Sequence, residues 1–157
     1  MSYNIQFGRG LDNKIDLERI CYTIKNADIV CLQEVEQGWL RTGNLDQAQM
    51  ISDLMPEFYT VFGASFDVDN SVKTADGKVV NRRRRYGDMI LSRWPIVSTR
   101  TFNLEKTNDA RFNMHMGFIE AVIETDTIPL RIYNCHAGYL GVEERLAQLR
   151  QLIEIYR

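Results

Sequence analysis

Three side chains suited to metal or phosphate chemistry stand in or directly after short apolar stretches. Glu34 follows the apolar run 28–32, His136 follows 128–135, and Asn4 lies in the first short apolar segment. A carboxylate at a sheet edge can bind a hard cation such as Mg²⁺, which prefers oxygen ligands. A histidine there can donate to a phosphate oxygen or share a proton with a leaving group. Position alone equally allows a surface carboxylate, a packed imidazole and a turn-forming asparagine.

One dense run of positive charge precedes a predicted strand. It is Arg82-Arg83-Arg84-Arg85, and Tyr86 follows it. Such a run can attract a phosphodiester backbone or an anionic lipid head group, and it can equally be a solvated loop. The whole chain carries a formal net charge of -2, from 19 basic and 21 acidic residues. Overall charge therefore gives no sign of a nucleic-acid-binding protein.

Alternating strand and helix signals in the first part of the chain predict the elements that position these side chains. Strands are expected at 3–7, 28–32 and 58–62. A helix over 16–26 begins at the N-cap Asp16. A second helix begins with the capping-box pair Asp46 and Gln49 and ends near Pro56. Strand, helix and strand within about 30 residues match the size of a βαβ unit.

Strand signals dominate the rest of the chain, after a polar stretch at 67–81 that predicts a long surface loop or a loose hairpin. Strands are expected at 86–92, 96–102, 116–124 and 128–135. Alternation within 116–124 sets Ile119, Ala121 and Ile123 on one face. A final helix from Val142 is expected to pack through the apolar stripe Leu146, Leu149, Ile153 and Tyr156. The pattern is that of a strand-rich mixed α/β (α+β) domain.

Composition excludes several classes of protein. The chain has 157 residues, 45% hydrophobic and 25% charged, which is ordinary for one soluble globular domain. Its three cysteines, Cys21, Cys31 and Cys135, show no C-x-x-C pairing and are expected to be buried reduced thiols. No apolar run is long enough to span a membrane. No signal peptide is visible, so a cytoplasmic location is expected.

Four segments, in this order, resemble motifs of the endonuclease/exonuclease/phosphatase superfamily, the deoxyribonuclease-like metal-dependent phosphoesterases. They are Tyr3-Asn4-Ile5 with the later 16–20, residues 28–35 ending in Leu-Gln-Glu-Val, residues 86–96, and Tyr133-Asn134-Cys135-His136 with the later 145–149. Each motif alone is weak, but all four in register are specific. The resemblance covers essentially the whole chain, yet only the first half to two-thirds of a family domain.

The resemblance implies a deoxyribonuclease-like four-layer α/β/β/α sandwich and a role for each candidate residue. Glu34 would bind Mg²⁺, with Mn²⁺ as a possible substitute. Asn4 would lie beside the metal, and His136 would contact the scissile phosphate, with Asp88 or Glu120 as candidate partners for its imidazole. Gln33 is expected to point away from Glu34. Further contacts to the substrate phosphate would come from Arg84, Arg85 and Tyr86.

The family motifs Gly-Asp-x-Asn and Ser-Asp-His, which supply the general base, are missing from this sequence. Residues 1–157 are therefore expected to form a single partial domain whose C-terminal part is absent, and which could associate through an open sheet. We predict Mg²⁺-dependent hydrolysis of phosphate esters, in nucleic acid or phosphorylated lipid or inositol, by the complete protein, and nearly no activity for residues 1–157 alone. The alternative is a non-catalytic module that binds nucleic acid or phospholipid and keeps the fold.

Overall fold

The computed structural model describes residues 1–106, 114–138 and 141–156. Its larger sheet has the strand order β1-β2-β6-β3. β1 runs parallel to β2, and the β2–β6 and β6–β3 pairs are antiparallel. These strands are β1 (Ser2–Asn4), β2 (Ile29–Gln37), β3 (Tyr59–Asp69) and β6 (Arg83–Ser92).

A second sheet and three helices complete the described part of the chain. The second sheet is antiparallel in the order β7-β8-β9, and a short hairpin, β4-β5, separates β3 from β6. The strands are β4 (Val72–Lys73), β5 (Val79–Val80), β7 (Ile96–Asn103), β8 (Gly117–Glu124) and β9 (Pro129–His136). The helices are α1 (Leu17–Ile24), α2 (Gln47–Leu54) and α3 (Val142–Tyr156).

The elements stack in four layers. Helices α1 and α2 cover one face of the larger sheet, where Ile24 and Ile51 pack with Leu32. The other face meets the second sheet through a core that contains Ile90 and Ile119. Helix α3 packs on the outer face of the second sheet. This confirms the predicted α/β/β/α order, in which the space between the two sheets is the natural place for a site built from both.

Local signals predicted most of these elements. The Asp16 carboxylate accepts from the Arg19 amide at 2.9 Å and caps α1. Asp46 caps α2 in the same way, although the Gln49 side chain bonds to Asp53 instead of closing a capping box. The alternation predicted for 116–124 is also confirmed, because Ile119, Ala121 and Ile123 all lie in the core between the sheets.

The predicted packing face of α3 is wrong. Leu146, Leu149, Ile153 and Tyr156 are all exposed. The helix instead packs through Leu152 and Ile155, together with the buried polar side chains Glu144 and Gln148. Gln148 accepts from the Gly138 amide and donates to the Glu105 carbonyl. Hydrogen bonding to neighbouring loops therefore decides the buried face, which a count of apolar residues could not show.

Two other boundaries differ from prediction. β1 ends at Asn4, and a 3₁₀ turn at Gln6–Gly8 follows it. β3 continues to Asp69. The β4-β5 hairpin then lies within the polar stretch 67–81, which confirms the hairpin alternative there. The arginine run then begins β6, so three of its four residues lie in a strand and not in a loop.

Cys21, Cys31 and Cys135 are free thiols, as predicted, but only Cys21 is buried, whereas Cys31 and Cys135 are half-buried. Burial raises the pKa of each, to about 11 for Cys21 and Cys135. No helix in the described residues is long and apolar enough to cross a membrane.

Candidate active site

Glu34 lies in a β-bulge within β2. Leu32 pairs with Met89 and Val35 pairs with Gly87, so Gln33 and Glu34 together face a single residue of β6. The extra residue gives Glu34 a left-handed backbone, with φ of 64°, which is uncommon outside glycine and asparagine. The sequence placed Glu34 at the end of an apolar strand, but β2 continues to Gln37. The carboxylate is therefore fixed by strand pairing on both sides.

The bulge also changes the direction of the neighbouring side chain. Gln33 was expected to point away from Glu34, and this expectation is wrong. Both side chains reach β9, where Gln33 bonds to Asn134 and Glu34 approaches His136. A bulge interrupts strict alternation, because two residues on one strand occupy the space of one.

Asn4 orients the Glu34 carboxylate from the neighbouring parallel strand. Its Nδ2 donates to Glu34 Oε1 at 2.9 Å, and its Oδ1 accepts from the Gln6 amide at 2.9 Å. The second bond is part of a tight turn in which Gln6 and Phe7 also have positive φ. Such conformations each cost on the order of 1–3 kcal/mol and cluster at functional sites.

His136 ends β9 in the opposite sheet and faces the same carboxylate. Its Nε2 lies 3.7 Å from Glu34 Oε1, and the imidazole is about one-fifth exposed. Burial lowers the His136 pKa, and the nearby Glu34 charge offsets this only in part. Nδ1 is buried and has no hydrogen-bond partner among the described residues. Burial therefore favours the neutral imidazole.

Tyr86 and Asp88 of β6 line the floor of this space. The Tyr86 ring centroid is 6.4 Å from that of His136, and the side chain is buried. Burial and the Glu34 charge both raise the pKa of Tyr86 and that of Asp88. Asp88 lies opposite the bulge and is 3% exposed, and its carboxylate makes no hydrogen bond to a described residue. Glu120, the other candidate partner of His136, instead binds Arg100 and Arg131.

The donor set suits a hard cation held through few protein ligands. Among the described residues no cluster of three or more His, Cys, Asp and Glu side chains could hold a metal ion. Mg²⁺ differs from zinc here, because it usually takes one or two carboxylates and keeps several waters. Glu34 Oε1 is occupied by Asn4, whereas Oε2 makes no hydrogen bond to a described residue. One free carboxylate oxygen beside an oriented amide fits Mg²⁺ or Mn²⁺.

Strand geometry splits the arginine run between two faces of β6. Arg84 shares the face of Tyr86, and its guanidinium lies 5.3 Å from the centroid of the Trp39 ring, which neighbours Tyr86. Arg83 and Arg85 point to the other face, where both bind Asp67. The structure thus brings Tyr86 to Glu34 and His136, places Arg84 further along the same face, and sets Arg85 away from the site.

Sequence reasoning gave no role of their own to Asn134 and Trp39. Asn134 is 2% exposed and contacts both sheets. Its signal was its spacing, since residues two apart on a strand share a face and His136 follows by two. Trp39 bonds through Nε1 to the Arg85 carbonyl at 2.7 Å, and a lone tryptophan in a predicted loop carries no comparable signal.

Comparison with known proteins shows the family and the fold. A sequence model of the Endonuclease/Exonuclease/phosphatase family matches residues 1–156. No curated protein matches the chain. Among solved structures, the chain is similar to an endonuclease/exonuclease/phosphatase from Beutenbergia cavernae DSM 12333, with a TM-score of 0.75 and 21% identity, over 98% of this chain and 42% of that chain.

Two further solved structures share the fold. An endonuclease/exonuclease/phosphatase family protein from Leptotrichia buccalis C-1013-b has a TM-score of 0.67 and 14% identity, over 99% of this chain and 62% of that chain. Sphingomyelinase C from Streptomyces griseocarneus has a TM-score of 0.61 and 17% identity, over 97% of this chain and 51% of that chain. The chain thus spans less than two-thirds of the length of each of these three structures.

Proposed function

Because this chain belongs to the endonuclease/exonuclease/phosphatase family, we propose that it contributes Glu34, Asn4 and His136 to a site that hydrolyses phosphate esters with a divalent metal ion. The observation that carries the proposal is the Glu34 carboxylate, which a β-bulge holds between an amide on one side and an imidazole on the other. These groups come from β1, β2 and β9, so both sheets supply the site.

Glu34 would hold Mg²⁺, or Mn²⁺ in its place, through the oxygen that Asn4 leaves free. The bound ion would polarise the phosphoryl oxygens and stabilise charge that develops on them. Asn4 keeps the carboxylate in one orientation, since its amide bonds both to Glu34 and to the backbone of the following turn. Preorganised groups of this kind need no rearrangement during the reaction.

His136 would donate an N–H to an oxygen of the scissile phosphate. A neutral imidazole can do this without adding positive charge beside a metal ion, and burial favours the neutral form of His136 by lowering its pKa. The motifs that the family uses to activate water, Gly-Asp-x-Asn and Ser-Asp-His, are absent from this sequence. We therefore assign water activation to residues outside it.

The proposal specifies the bond that is broken and leaves the rest of the substrate to experiment. One similar structure is named as a sphingomyelinase, and two carry the family name. The full-length protein should be assayed with bis(p-nitrophenyl) phosphate, single-stranded DNA and sphingomyelin vesicles, each with Mg²⁺ and with a chelator. Hydrolysis that requires Mg²⁺ is expected for at least one of them.

Glu34→Gln tests the assignment of the site. Removing a main electrostatic contributor should lower kcat by about 10²–10³-fold. Glu124→Gln is the matched control, because Glu124 is an exposed glutamate at the end of β8, and it should leave activity unchanged. Unaltered hydrolysis by Glu34→Gln would refute the proposal. Binding of DNA or vesicles without any turnover would favour the non-catalytic module.

A further inference from the structure

Asn134 makes hydrogen bonds to the two central strands of the larger sheet although it belongs to the second sheet. Its Nδ2 donates to the Leu32 carbonyl at 2.8 Å and to the Met89 carbonyl at 3.0 Å. Its Oδ1 accepts from Gln33 Nε2 at 2.6 Å. The side chain is 2% exposed, so all three bonds form without competition from water. Every hydrogen-bonding atom of this amide has a protein partner.

The atoms that Asn134 binds surround the bulge. Leu32 and Met89 form the last regular pair of β2 and β6 before it, and Gln33 is the first bulged residue. A bulge disrupts the regular ladder, so backbone carbonyls beside it need other donors. Asn134 supplies two such donors and thereby stabilises the irregular backbone that carries Glu34.

The same network extends to the strand that carries Asn4. Gln33 Nε2 also lies 3.2 Å from Ser2 Oγ, in β1, and 3.2 Å from the Cys31 carbonyl. Hydrogen bonds from Gln33 and Asn134 thus connect β1, β2, β6 and β9. Each of these strands carries a side chain of the candidate site.

Asn134 also fixes the position of His136, because residues two apart on a strand point to the same face. On the basis of the proposed function, we infer that Asn134 is a positioning residue that sets Glu34 and His136 at their working separation and so determines the affinity of the metal site. Asn134 does not touch the metal or the substrate. It acts through the bulge on one side and through β9 on the other.

The test is metal binding by the full-length protein, measured with Mn²⁺ alone by titration calorimetry. Asn134→Leu keeps the approximate shape of the side chain and removes all three hydrogen bonds. Loss of groups that support a metal ligand typically weakens metal affinity about 10–100-fold, and this loss is expected here. Gln33→Met removes only the bond to Asn134 Oδ1 and the contacts to Ser2 and Cys31, and a smaller loss, about 3–10-fold, is expected. It also serves as the second variant if Asn134→Leu does not fold.

Ile119→Ala is the matched control for loss of stability. Ile119 pairs directly with Asn134, is fully buried between the same two sheets, and donates nothing to the bulge. It should lower the free energy of unfolding while leaving Mn²⁺ affinity within about twofold of wild type, the change expected when no group supporting a ligand is lost. Equal weakening by Ile119→Ala, or wild-type affinity in both folded Asn134 and Gln33 variants, would overturn the inference.

Glu34→Gln distinguishes failure of the inference from failure of the proposed function. If Glu34→Gln leaves Mn²⁺ affinity unchanged, the metal is not at Glu34 and both proposals fall. If Glu34→Gln abolishes binding but the Asn134 and Gln33 variants bind normally, only the positioning role is wrong.

Discussion

The start and the middle of β6 present opposite kinds of polar chemistry. At the start, Arg83 is exposed, Arg85 is half-buried, and both bind the Asp67 carboxylate. In the middle, Tyr86 and Asp88 are buried, and the Asp88 carboxylate, opposite the bulge, makes no hydrogen bond to a described residue. In the sequence, the arginine run at the start of β6 is a clear charge signal, whereas residues 86–92 give only the pattern of a strand.

The two parts of β6 differ in whether their polar side chains have partners within the protein. The arginine pair is already engaged by its own protein, and burial costs it little. Burial raises the pKa of the Asp88 carboxylate and lowers that of the His136 imidazole, whose Nδ1 has no hydrogen-bond partner among the described residues. Buried polar groups are normally paired, and Glu36 Oε2, Arg84 Nε and His115 Nδ1 are further exceptions among the described residues.

His136→Gln gives the largest expected effect after Glu34→Gln. A positioned histidine contributes about 10²–10⁴-fold to proton transfer or charge stabilisation, so we expect kcat/KM to fall by about 10²-fold. The measurement is steady-state hydrolysis of whichever phosphodiester the full-length protein cleaves. His115→Gln is the control, since His115 is the only other histidine of the chain, and it should change kcat/KM less than about twofold, as expected of a group with no part in proton transfer. His115 is half-buried and its Nδ1, like that of His136, has no hydrogen-bond partner among the described residues. Equal effects of the two variants would therefore show that the loss is not specific to the candidate site.

Asp88→Asn should stabilise the apoprotein at neutral pH. Burial, followed by the Glu34 charge, raises the folded-state pKa of Asp88 above its unfolded value. The unfolded state therefore loses its proton first as pH rises, and wild-type stability falls between the unfolded and folded pKa values. The variant lacks this loss, so its advantage in unfolding free energy over wild type should be small near pH 4 and larger near pH 7.5.

Chemical denaturation at both pH values, with chelator present, measures this effect. A pH-independent difference in stability between Asp88→Asn and wild type would show that the pKa of Asp88 is not raised by folding. The buried part of β6 would then not differ from the exposed part in this respect. Glu124→Gln provides a reference for an exposed carboxylate.

Arg84→Gln sharpens the comparison within the arginine run. Arg84 shares a face with Tyr86, whereas Arg83 and Arg85 bind Asp67 on the other. If the run attracts substrate from the site face, Arg84→Gln should raise KM by about 3–10-fold, an amount typical of one charged contact to phosphate. Arg85→Gln should change KM less than about twofold, since exposed charges act weakly over distance. A larger rise in KM for Arg85→Gln than for Arg84→Gln would show that substrate contacts the face of β6 that carries Arg85 and Asp67.

Asp67→Asn is expected to have the smallest effect. Its two ion pairs are solvent-exposed, and exposed pairs contribute about 0–1 kcal/mol. Urea denaturation should therefore show a loss of unfolding free energy below about 1 kcal/mol. A loss of several kcal/mol would show that the ion pairs of Asp67 contribute as much to stability as a buried part of the sheet.

The sequence predicted much of the fold because its signals are local. Capping by Asp16 and Asp46, and alternation in β8, depend on neighbouring residues. The buried face of α3 depends on distant partners of Gln148, such as Glu105, and hydrophobic spacing gave the wrong face.

For the site, the resemblance to the family led to Glu34, Asn4 and His136, and the structure brings these three together. Their roles in catalysis and metal binding stay predictions. The bulge could not be foreseen, because it depends on pairing between β2 and β6, which are 45 residues or more apart in sequence. Without the bulge, Gln33 was given the wrong direction and Asn134 no role.

The extra residue in β2 also has a consequence for the phase of the strand. Before the bulge, Val30 and Leu32 pack against the helices, and after it Val35 does so. The parity of the buried positions therefore switches from even to odd at this point. Deleting Glu34 alone would restore an uninterrupted alternation, with each apolar residue still on its own face. The candidate site therefore depends on one extra residue in a strand that could otherwise pair regularly. Insertion or deletion of a residue in β2 near Glu34 would change or remove the bulge, which a substitution that keeps the chain length leaves in place.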